Sequence, residues 1–149
     1  MMRKLVLVLA AASLAVPASA QLRLPINRGR APAQPVLQGI DALRAEFAAQ
    51  SGATTVYFPG NSAGLSAQAR TTLAAQAAWL RRHPEIVVRI EGAGDGNDTR
   101  AHALAMGARR AEAVRDYLIL LGVPAVQLST SSWGKERPGA GRAVTVLVR

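Results

Sequence analysis

Val36, Ile40, Leu43 and Phe47 recur three or four residues apart, with Asp41, Arg44 and Glu46 on the rest of the circumference. That stripe predicts an amphipathic helix over residues 36–52 with one face buried, closed at Ser51-Gly52, where glycine accepts a left-handed conformation. Residues 54–58 are a β-favouring run stopped by Pro59-Gly60. Ser66 is then placed to cap a helix running through Leu73, Ala77 and Leu80 to about His83, where Pro84 ends it. A β-branched strand at residues 86–90 leads into a glycine-rich turn at residues 91–99. Leu104, Ala108, Ala111, Val114, Leu118 and Leu121 then share one helical face, with a stop at Gly122. The chain closes with a strand at residues 126–133, a turn through Gly134, Pro138, Gly139 and Gly141, and an alternating strand at residues 143–148. Two strand-helix-strand crossovers followed by an adjacent strand, in the order β-α-β-α-β-β over residues 53–149, predict an α/β fold. It is a two-layer sandwich in which a mixed four-stranded sheet carries its helices packed on one face.

The first residues follow a different pattern. Arg3 and Lys4 precede an apolar run at residues 5–16, and Ala18-Ser19-Ala20 stands before Gln21, the layout of a cleavable signal peptide over residues 1–20. A membrane anchor is the rival reading, but the apolar run is about a dozen residues, short of the roughly 20 that span a bilayer. Residues 21–35 hold Pro25, Pro32, Pro35, Arg23, Arg28 and Arg30 and no acid, which reads as a flexible basic tether.

Composition narrows the chemistry. The chain has no cysteine, so the sequence offers no disulfide framework, no thiolate metal site, no thiol nucleophile and no lipidation cysteine at the expected cleavage point; the expectation is a chain with no covalent membrane anchor. A net charge of +9 favours anionic polymers. The basic residues are scattered and the aromatics few, with no groove-reading motif, so nucleic acid is not the expected partner.

Gly92-Ala93-Gly94-Asp95-Gly96 has the look of a dinucleotide-binding turn, but Asn97 stands where a third glycine is needed, and Asp95 and Asp98 would repel a pyrophosphate. Asp95, Asp98 and His102 have no metal-site spacing; Asn97 or Asp98 reads instead as the helix cap and His102 as solvent-facing. His83 reads as a charge at a helix end, and residues 129–132 (Ser-Thr-Ser-Ser) have no histidine nearby in sequence to activate a hydroxyl. No catalytic residue, metal or cofactor is expected. Arg110 is more informative. Arg109 has Glu112 three residues on, whereas Arg110 has no acid within reach on its own helix, which leaves its guanidinium to look elsewhere. Facing Asp95, it would complete a receptor for a zwitterion, arginine taking a carboxylate and aspartate an ammonium. Equally, the two would simply pair with each other.

The string Val88-Arg89-Ile90-Glu91-Gly92-Ala93-Gly94-Asp95, followed by Leu104 and by Gly107-Ala108-Arg109-Arg110-Ala111-Glu112-Ala113-Val114, resembles the OmpA C-terminal-like (OmpA/Pal/MotB) peptidoglycan-binding domain family. The likeness extends to Val56-Tyr57-Phe58, Leu65, Tyr117-Leu118, Gly122-Val123, Ser132-Trp133-Gly134-Lys135-Glu136-Arg137-Pro138 and Arg142-Ala143-Val144. It implies a noncatalytic domain, periplasmic or outer-membrane associated, that binds the diaminopimelate of cell-wall stem peptides without cofactor or metal. By the same resemblance Asp95 and Arg110 hold the ligand, assisted by the turn at Gly94, Gly96 and Asn97 and by Arg142, which is what remains of the usual Asn-Arg-Arg. The chain departs from the pattern at Ala93 (often histidine), Asp98 (glycine) and His102-Ala103 (Tyr-Asn), in the short Gly139-Ala140-Gly141 loop, and at Pro59, Gly60 and Asn61, where an aromatic and an aspartate are common. Those departures motivate an alternative, a degenerate fold of the same family serving as an envelope protein-protein interaction module.

Overall fold

A computed structural model describes residues 35–137 and 141–149. The expected signal peptide and tether, and residues 138–140 of the last turn, lie outside these. The elements are α1 (Pro35–Ser51), β1 (Thr55–Tyr57), α2 (Ala67–Arg82), β2 (Val88–Ala93), α3 (Arg100–Leu120), a short 3₁₀ turn (Ala125–Gln127), β3 (Leu128–Gly134) and β4 (Arg142–Leu147). The sheet is mixed, in the order β1-β4-β2-β3: β4 is antiparallel to both β1 and β2, and β2 is parallel to β3. The last strand therefore enters between β1 and β2 instead of flanking β3, an insertion that the linear order of elements leaves open.

Alternation along the strands separates the two faces of the sheet. Val56, Val88, Ile90, Leu128, Ala143 and Leu147 join Leu73, Ala77 and Leu80 of α2 and Ala111, Val114 and Leu118 of α3 in one core. In the middle of it Thr145 Oγ1 donates to Gln76 Oε1 at 2.8 Å, so the buried polar pair satisfies itself. Helix α1 packs on α2: Phe47 meets Trp79 edge to face at 5.1 Å, and Trp79 Nε1 donates to Glu46 Oε1 at 3.1 Å. Since β1 is only three residues long, the far half of β4 would present an open edge. Arg44 of α1 reaches it, donating from Nη2 to the Leu147 carbonyl at 3.2 Å.

Local signals place the ends. The Ser66 hydroxyl accepts the Ala69 N–H at 3.1 Å, the expected cap of α2. Ser66→Ala should cost about 1 kcal/mol, and Ser66→Asp should restore most of it, in urea unfolding. His83 closes the same helix, stacked on Trp79 at 4.0 Å. At α3 the cap is Thr99, whose Oγ1 accepts the His102 N–H at 3.3 Å, and not Asn97 or Asp98. The expected strand at residues 86–90 is also displaced. Ile86 still turns back to the His83 carbonyl, and pairing with β3 and β4 carries β2 on through Glu91 and Gly92.

That displacement has a packing cause. The buried face of α3 is Ala103, Met106, Gly107, Arg110, Ala111, Val114 and Leu118, while Leu104, expected inside, is 51% exposed. The small residues Ala103, Gly107 and Ala111 let the helix lie directly on the backbone of Gly92 and Gly94. A β-carbon on Gly92 would strike the Gly107 carbonyl, and one on Gly94 the Ala103 backbone.

Candidate binding site

The strand-turn-helix junction from β2 to α3 brings Asp95 and Arg110 together. Arg110 Nη2 lies 3.2 Å from Asp95 Oδ2, with the arginine side chain 0% exposed and the aspartate 29%. The guanidinium is not free, as its lack of a partner on α3 had suggested. Nε donates to the Ser62 carbonyl at 2.8 Å, Nη1 to Ala93 O at 2.8 Å and Nη2 also to Gly60 O at 2.6 Å, and the cation sits 5.5 Å from the centre of the Phe58 ring. Four of its five N–H groups are thereby used, which leaves at most one for a ligand. Arg110 fastens the loop after β1, the end of β2 and Asp95 to one another. The carboxylate is the member of the pair that solvent reaches.

The other expected site residues divide. Gly96 and Asn97 are exposed at the tip of the turn. Gly94 is buried beneath the first turn of α3, with its N–H committed to Gly134 O at 2.8 Å, so it serves packing and offers no free amide. Arg142 opens β4 in the alternating set that faces away from the core, beside Glu91, Ala93, Trp133, Arg137 and Val144 around a cavity of about 30 Å³. Its side chain is thus on the face of the sheet opposite the one on which α3 carries Arg110. Exposed His102, with Nε2 3.1 Å from Asn61 Oδ1 and 3.6 Å from Asp98 Oδ2, instead links the β1–α2 loop to the turn, and Lys135 Nζ donates to Asp98 O at 2.9 Å. Among the described residues no group of three or more acidic or histidine side chains is arranged to hold a metal ion.

Sequence reasoning missed the carbonyls of Gly60, Ser62 and Ala93 as partners of Arg110. Backbone acceptors leave no side-chain signature, and only the missing partner on α3 hinted at contacts far along the chain. It also missed Glu91 and Arg137, since alternation puts residue 91 on the open face of the sheet.

Residues 57–146 match the OmpA family, and the chain belongs to it. The peptidoglycan-associated lipoprotein of Agrobacterium fabrum is 44% identical over 103 residues, covering 62% of this chain and 58% of that protein. That of Pseudomonas aeruginosa is 41% identical over 101 residues, covering 68% and 60%. This chain thus spans less than two thirds of the length of these relatives. Among solved structures, the peptidoglycan-associated lipoprotein from Burkholderia pseudomallei superposes with a TM-score of 0.63 at 35% identity, covering 65% of this chain and 92% of that one. The C-terminal domain of Helicobacter pylori MotB shares the fold, with a TM-score of 0.59 at 21% identity over 64% and 84% of the two chains. The relatives are named as lipoproteins, which lends no support to the expectation of an unanchored chain.

Proposed function

We propose that this chain is an exported, noncatalytic domain of the cell envelope that binds peptidoglycan through the diaminopimelate of its stem peptides. The observation that carries the reading is the Asp95–Arg110 contact at the mouth of the β2–α3 junction, in an OmpA-family domain whose relatives are named for their association with peptidoglycan. Asp95 takes the ligand's ammonium, because it is the accessible anion of the pair. The ligand's carboxylate meets the one remaining N–H of Arg110 and the amides of Gly96 and Asn97. Arg142, on the face of the sheet away from α3, adds positive potential.

The test is cosedimentation with purified sacculi, with free diaminopimelate as competitor. Asp95→Asn should release the protein from the pellet, a loss of about tenfold or more in affinity for a charged hydrogen bond. A folded Asp95→Asn that still pellets like the unaltered protein would refute the site assignment. The near-complete internal use of Arg110 favours one other reading, in which the pair only holds loops and the domain contacts an envelope protein. An unaltered protein that ignores sacculi, yet captures one defined envelope partner, would favour that reading.

A further inference from the structure

We infer that Glu91, acting through Arg137, is a positioning residue for the Asp95 mouth. The inference rests on the peptidoglycan reading for its ligand and on the structure for its mechanics. Glu91 belongs to the face of the sheet turned away from the helices, where a carboxylate has every opportunity to stay in water. It is nevertheless only 6% exposed. Two arginines cover it: Arg89 brings Nε and Nη2 each to 3.0 Å of Oε1, and Arg137 brings Nη1 to 2.8 Å of Oε2. The Arg137 guanidinium in turn stacks on Trp133 of β3, 3.5 Å from the ring centre. A desolvated carboxylate held by guanidinium groups, one of them stacked on an aromatic ring, has a fixed geometry that an exposed pair lacks.

The geometry matters because of where Arg137 stands. It follows Gly134, the last residue of β3, by three positions, and the chain returns four residues later at Gly141. Gly141 is a wall of the candidate site. Its N–H donates to Gly94 O at 3.4 Å, its carbonyl accepts the Phe58 N–H at 2.7 Å, and a β-carbon on it would lie 3.6 Å from Asp95 Oδ1. Its φ of +70° is one that glycine adopts without strain. One short stretch of β2 and its turn therefore holds the departing chain at Glu91, receives the returning chain at Gly94 and presents Asp95 to the ligand. At 3.4 Å the Gly141–Gly94 bond is long, so it is the contact that yields when the other end of the connection is released.

Arg137 is half exposed, so Arg137→Ala leaves a folded protein in which the clamp is open. The probe is the tripeptide L-alanyl-γ-D-glutamyl-meso-diaminopimelate, titrated against the whole chain alongside amide hydrogen exchange without ligand. Arg137→Ala should weaken tripeptide binding about tenfold and speed exchange at Gly141 and at Phe58, whose N–H donates to the Gly141 carbonyl, while exchange at the core amides of Val88 and Ile90 stays unchanged. Arg137→Lys should recover part of both effects. Glu91→Gln should weaken binding at least as much as Arg137→Ala, because it also loosens Arg89, and adding Arg137→Ala to it should cost little more, because the Arg137 contact is already weakened. Unchanged exchange at Gly141 and Phe58 in Arg137→Ala would overturn the inference, as would fully additive losses. If the unaltered protein fails to bind the tripeptide, the peptidoglycan reading falls, and the exchange data still decide whether Glu91 and Arg137 position the mouth.

Discussion

Arg110→Met is expected to lower the free energy of unfolding by about 3–5 kcal/mol in equilibrium urea experiments. Methionine fills much of the same volume but supplies none of the four donated hydrogen bonds. The buried carbonyl of Ala93 would then stay desolvated without this partner, and the Gly60 and Ser62 carbonyls and Asp95 would lose the donor that ties them together. Arg110→Lys should recover only a fraction, because a single ammonium cannot reach three carbonyls spread around a planar fork. Asp95→Asn, at the solvent side of the same contact, should cost no more than about 1 kcal/mol, since the amide oxygen can still accept from Nη2 and the guanidinium keeps its three carbonyl partners. Two neighbours with such different costs would mark Arg110 as a fastener of the fold and Asp95 as a residue the fold can do without. A loss below about 1 kcal/mol for Arg110→Met would mean that water reaches the freed carbonyls.

Gly92→Ala should be comparably damaging for a steric reason. The new β-carbon would lie 2.8 Å from the Gly107 carbonyl carbon and 3.0 Å from the Ala111 nitrogen, besides colliding with the Gly107 oxygen. These are helix backbone atoms, so no side-chain rotation relieves the clash. Either α3 lifts away from β2 or the strand bends, and both movements disturb the turn that presents Asp95. Overpacking of this kind costs about 3 kcal/mol, at the upper end of its usual range, out of the roughly 5–15 kcal/mol that holds a domain together. Thermal unfolding checks it, with Gly96→Ala as the control, because nothing lies within 4 Å of a β-carbon there. Equal shifts in the two variants would refute the close-contact account.

Much of the fold was legible because period and punctuation agree. The stripe from Leu73 to Leu80 behind Ser66, and the alternation at residues 143–148, each admit one reading, and α2 and β4 form there. Strand order was not legible, since hydrophobic period says which face of a strand is buried but not which strand lies beside it. The register of α3 was misjudged by giving Leu104 more weight than Gly107. A helix that rests on glycine backbone buries its smallest residues, and the signal was the coincidence of Gly92 and Gly94 with Ala103, Gly107 and Ala111 at fourfold spacing. At the site, the encounter of Asp95 with Arg110 followed from counting partners, whereas the exhaustion of the guanidinium by carbonyls did not, because every residue carries a carbonyl. Glu91 was hidden for a related reason. Side chains distant in sequence, Arg137 among them, close over it on the open face of the sheet.

The contact between Arg44 and the Leu147 carbonyl bears on where the folding unit begins. The match to the OmpA family starts at residue 57, after α1 has ended. Yet α1 supplies Phe47 to the core and stands guard over the stretch of β4 that the three-residue β1 leaves unpaired. An uncovered row of strand amides and carbonyls is an invitation to another chain, the first step towards open-ended stacking of sheets. The helix ahead of the family boundary thus covers part of that row, and the packed unit is longer than the segment recognisable by descent.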